Sequence, residues 1–99
     1  MATGEHLTEA LTGRRIGSVS HDERHEVERV KGYLQSLGSC YRELSERETD
    51  VRRQAELRAE ARRCDDAVQR LAVMTPAERQ DILTAVPGRL QALRAELDA

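Results

Sequence analysis

Two histidines stand four residues apart at His21 and His25, with Glu28 one turn further on. On a helix this spacing sets two imidazoles and a carboxylate on one face, an arrangement that can hold zinc. No fourth ligand is fixed and no His-Glu-x-x-His pattern exists, so the trio reads as a solvated first helical turn. Cys40 and Cys64 are the other candidates for chemistry. Their spacing suits no metal motif, and on one continuous helix they would lie about 36 Å apart, far beyond disulfide reach. Cys64 reads as a small core residue, and Cys40 lies beside a seam where it could cross-link a parallel dimer under oxidation.

The arginines Arg42, Arg47, Arg52, Arg53, Arg58, Arg62, Arg63 and Arg70 suggest a stripe for nucleic acid until their neighbours are counted. Glu43, Glu46, Glu48, Asp50, Glu56, Glu60, Asp65 and Asp66 interleave with them. Pairs such as Glu43 with Arg47 and Glu48 with Arg52 have the order that supports a helix by a few tenths of a kcal/mol each. With a net charge of −2 and no interleaved aromatics, the pattern is a salt-laced solvent face and argues against nucleic acid. The Arg14-Arg15 pair is too short to alter this. No glycine-rich phosphate loop, Gly-x-Ser-x-Gly elbow or histidine beside a nucleophile is present, and a two-helix seam has no pocket for substrate. The expectation is a protein that is not an enzyme and needs no metal or cofactor.

Composition points the same way. The 99 residues are 38% hydrophobic and 34% charged, with no Phe, no Trp and only Tyr33 and Tyr41 as aromatics. Leu, Val and Ala must fill one modest core, which suits long helices with thin seams. Lys31 is the single lysine among sixteen basic residues, a usage typical of GC-rich bacterial coding sequences. Apolar runs are too short for a membrane span and no signal peptide follows Met1, so the expected compartment is the cytoplasm.

Residues 1–20 read as a flexible segment with a possible short helix from His6 to Leu11. Ser20 with Glu23 then makes a capping box, and a helix should begin near His21. From there Val27, Val30, Leu34, Leu37, Tyr41 and Leu44 recur at alternating three and four, running on to Val51 and Ala55 across a polar Glu48. A second stripe, Leu57, Ala61, Cys64, Val68 and Leu71, is offset by a skipped three-residue step, read here as a change of packing partner. Gly38-Ser39 interrupts the first stripe without shifting its phase. Thr75, Pro76 and Glu78 announce a second helix, with Leu83, Val86, Leu90, Leu93 and Leu97 as its stripe and a kink at Pro87.

The fold expected is all-α: a long amphipathic helix over 21–73 and a C-terminal helix over 75–98, folded as an antiparallel hairpin or coiled coil. Leu71 should meet Leu83, Cys64 should lie near Leu90 and Leu57 near Leu97. A three-helix bundle with a break at Gly38 is the alternative. In the continuous-helix form the seam of Val27, Val30, Leu34, Leu37, Tyr41, Leu44 and Val51 has no intrachain partner, which makes it a partner-binding surface. The partner would be a second copy, giving a homodimer, or another helical protein. The functional expectation is a non-enzymatic coiled-coil interaction or regulatory module, with a structural subunit of a phage or secretion assembly as the alternative.

Gln35, Ser39, Arg42, Glu46 and Asp50 resemble the Glu-x3-Ser-x2-Arg-x3-Gln-x3-Asp pattern of actinobacterial anti-sigma factors that bind cyclic di-GMP on a coiled-coil hairpin. Ser39, Arg42 and Asp50 match, while Gln and Glu are exchanged at the other two positions. The resemblance spans sixteen residues and does not amount to family membership. What it implies is a further alternative, a helical hairpin that sequesters a transcription factor.

Overall fold

The computed structural model describes residues 21–99, and they form an all-helical bundle. Helix α1 spans His21–Arg47, α2 spans Val51–Gln69, a short 3-10 turn covers Leu71–Val73, and α3 spans Pro76–Asp98. The segment 1–20, with Ser20 and Arg14-Arg15, lies outside the described residues. Helix α2 returns antiparallel to α1, since the Gln54 side chain donates to the Ser45 carbonyl and Arg42 pairs with Asp65. Helix α3 then runs parallel to α1, with Arg79 bonded to Glu26, Arg89 to Tyr41 and Arg47 to the Leu97 carbonyl.

The single helix expected over 21–73 is therefore divided, and the division falls at residues 48–50 rather than at Gly38. Local hydrogen bonding explains the position. Asp50 adopts extended dihedrals and its carboxylate accepts from the Arg52 amide, an N-cap that starts α2. Glu48 turns back to accept from the Asp50 amide, and Gln54 occupies a carbonyl near the end of α1. The first stripe ends with α1: Val51 and Ala55, read as its continuation, are exposed on α2, whose own buried stripe starts at Leu57. Gly38 stays inside α1 because it serves packing: a Cβ there would lie 3.2 Å from the Cys64 Cβ, so glycine lets α1 and α2 approach closely.

At the other boundary the sequence signals hold. Thr75 accepts from the Glu78 amide while the Glu78 carboxylate accepts from the Thr75 amide, the reciprocal capping box, with Pro76 in the first turn. Helix α3 continues through Pro87 to Asp98.

The apolar residues form two clusters. The larger holds Leu37, Cys40, Tyr41, Leu57, Ala61, Cys64, Val86, Leu90 and Leu93. The smaller, towards the start of α1, holds Val30, Leu34 and Leu71, with Val27, Leu83 and Met74 packed on it. Each buried leucine contributes about 2 kcal/mol relative to exposure. The residues expected to pair across an α2–α3 hairpin share clusters, Leu71 with Leu83 in one and Cys64, Leu57, Leu90 and Leu97 in the other, but α2 and α3 do not pack closely on each other as a hairpin would. What the hairpin expectation lacked is α1, which packs along both other helices.

Candidate functional site

The first stripe was expected to be the partner seam, and the structure places most of it elsewhere. Val30 is fully buried, Leu34, Leu37 and Tyr41 are buried, and Val27 and Leu44 are partly covered, all against this chain's own α2 and α3. Val51 is 78% exposed at the start of α2. The seven residues thus do not form one exposed surface. Once the chain turns at residues 48–50, α1 becomes the third side of the bundle, and its apolar face is covered within the chain.

Tyr41 is the large aromatic of the core, and its hydroxyl accepts from Arg89 Nε at 2.7 Å. The guanidinium carbon lies 5.9 Å from the ring centroid, so the same arginine covers the rim of the ring. Between α2 and α3 an open groove of about 340 Å³ runs past Arg89, Glu56, Glu60, Arg53 and Glu96. A second, of about 310 Å³, lies between α1 and α2 and is lined by Arg42, Glu46, Arg58, Arg62 and Asp65. One ion pair spans each groove: Arg42 pairs with Asp65 at 3.3 Å and Arg53 approaches Glu96 at 3.9 Å. Glu43 and Arg47 pair at 2.8 Å, and Arg63 pairs with Glu60. Glu48 faces the turn and bonds the Asp50 amide there.

The pattern Gln35, Ser39, Arg42, Glu46 and Asp50 is not carried on one helix. Its first four members lie on α1, whereas Asp50 caps α2. The His21 and His25 rings meet at a tilt of 54° with centroids 4.7 Å apart, and among the described residues no group of three His, Cys, Asp or Glu side chains is arranged to hold a metal ion. Both cysteines are buried and free. Burial, with Glu60 and Asp65 nearby, pushes the Cys64 thiol above its ordinary pKa, which disfavours the thiolate that a nucleophile requires.

Two features escape a reading of the stripes. One is Arg79, a buried arginine at a core position of α3. Its Nε donates to Glu26 at 2.7 Å, its NH2 group to Glu23 at 3.2 Å and its NH1 group to the Met74 carbonyl at 3.1 Å. The signal was present: Arg79 precedes Leu83 by four and Glu23 precedes Val27 by four, so opposite charges sit in register on stripes that meet at one end.

The other is the outer face of α3. Opposite Val86, Leu90 and Leu93 the helix exposes Thr84, Ala85, Gly88, Gln91, Ala92 and Ala95, all uncharged and mostly small. The corresponding face of α2 exposes Arg52, Arg58, Arg62, Arg63, Asp65 and Asp66.

No family model, curated protein or solved structure matches the chain. Among the described residues no helix is long and apolar enough to cross a membrane.

Proposed function

We propose that this chain is a non-enzymatic helical interaction module that self-associates by packing a second copy on the outer face of α3. The observation that carries the reading is the stripe of small and uncharged residues Thr84, Ala85, Gly88, Gln91 and Ala95 on the outer side of α3, bordered by Asp81 and Arg94, where α2 exposes mostly charge. Small side chains let two helix axes approach closely, and the stripe itself carries no charge that would have to lose its water. Alanines alone would reflect helix propensity, but Gly88 and Thr84 are weak helix formers and gain nothing from that explanation. Two free thiols fit a reducing compartment such as the bacterial cytoplasm.

Sedimentation equilibrium across the micromolar range tests the proposal, together with Ala95→Arg. The expected result is a concentration-dependent rise in mass for the native chain, lost in the variant while its circular dichroism is unchanged. A native chain that stays monomeric, or an oligomer indifferent to Ala95→Arg, overturns it.

A further inference from the structure

We infer that the first turns of α1, residues 21–31, form a releasable arm held to the bundle by the Arg79 fork, opening separately from the main core. Three independent observations converge on this. The apolar core is divided, and Ile82 is the partly buried residue that packs against both clusters. Among the described residues, Val27 and Val30 pack on the smaller cluster and ion pairs tie the arm to α3: Glu23 and Glu26 reach the same guanidinium, which also binds the Met74 carbonyl at the α2–α3 connection. Finally, Gly32 sits exposed inside α1, between Val30 and Leu34, and a Cβ there would meet nothing within 4 Å.

Each observation has a mechanical consequence. Separate clusters let one end of a bundle lose its packing while the other keeps it, the behaviour of a local opening unit. Gly32 has no contact to justify it and weakens the helix at the point where the arm would leave the bundle. Glu26 is about one-quarter exposed against an almost fully buried Arg79, so water reaches the fork from the carboxylate side. With the arm lifted, Val30 leaves Leu34 and Leu71, and an apolar patch opens at this end. This places part of the first stripe, buried in the closed bundle, under the control of one guanidinium. The inference is independent of association through α3, which lies on a face the arm does not touch.

Amide hydrogen exchange on the full chain tests it, with Glu26→Gln and Gly32→Ala as opposed perturbations. In the native chain, amides of residues 25–31 should exchange faster than those of residues 37–44 and 86–93. Glu26→Gln should accelerate the arm about tenfold while leaving the other two segments unchanged. Gly32→Ala should slow it about fivefold, the effect of restoring ordinary helix propensity at an open site. Equal protection of the arm and the main cluster in the native chain overturns the inference. So does a Glu26→Gln variant in which all three segments accelerate by one common factor, or a Gly32→Ala variant in which the arm does not slow.

Discussion

Arg79 Nε lies 2.7 Å from Glu26 Oε1 across fifty-three residues of chain, and this bond joins the start of α1 to the first turns of α3. Because α3 runs parallel to α1, the beginnings of both helices meet at one end of the bundle. Removing the guanidinium strands two carboxylates and a carbonyl beside an apolar cluster. Arg79→Ala should therefore destabilise the chain by about 2 kcal/mol, below the range for wholly buried pairs because Glu26 and Glu23 keep some water. Replacing both partners, as Arg79→Met with Glu26→Leu, should return stability to within about 1 kcal/mol of the native chain. Urea unfolding of the three proteins measures both effects. An Arg79→Ala variant as stable as the native chain would remove the fork from any account of this end of the bundle.

The helical class and the α3 capping box were legible, because each rests on local signals read a few residues at a time. The division of the long helix was not. Its evidence lay in Glu48 on the stripe and the skipped step after it, which an overwound coiled coil or a change of partner produces equally well. What decides between them is a set of turn bonds from Glu48, Asp50 and Gln54, and these form only once the chain has turned. The helix does run on through Gly38, as its unbroken phase implied, but the reason for the glycine was not legible. Glycine inside a helix signals either a break or a close approach, and the approach to Cys64 depends on α2 already lying alongside. The candidate site followed from the same error: the Val27–Val51 seam was a binding surface only while α1 had no intrachain neighbour.

The junction before α3 should show its own pH dependence. Hydrogen bonds from the Thr75 backbone amide, and then from its side chain, hold the Glu78 carboxylate below its ordinary range. A carboxylate with a lowered folded pKa contributes stability above its unfolded pKa and loses it as pH falls through the folded value. The capping contribution is thus complete at neutrality and fades in the acid range. Thr75→Ala should cost about 1 kcal/mol at neutral pH, the usual value for losing such a cap. Melting temperatures of Glu78→Gln and the native chain should differ at neutral pH and converge on acidification. A gap that widens towards low pH would contradict the sign argued here.

A final prediction separates a single bundle from a hairpin with an appended helix. If α1 were spare surface, a charge at Leu34 would affect only association, while a charge at Leu90 would break the fold. The structure instead buries both: Leu34 packs with Val30 and Leu71, and Leu90 packs with Tyr41, Leu57 and Cys64. An unpaired carboxylate at either place must be desolvated among hydrocarbon side chains or force them apart. Leu34→Glu and Leu90→Glu should each lower stability by several kcal/mol, a large share of what a domain of this size possesses. The two should differ in extent rather than kind. The smaller cluster around Leu34 can open while the larger persists, so Leu34→Glu should retain more helical signal than Leu90→Glu. Circular dichroism and thermal melting of both variants provide the comparison. A Leu34→Glu protein with native melting temperature and full helicity would mean that α1 does not pack on this chain's own α2 and α3.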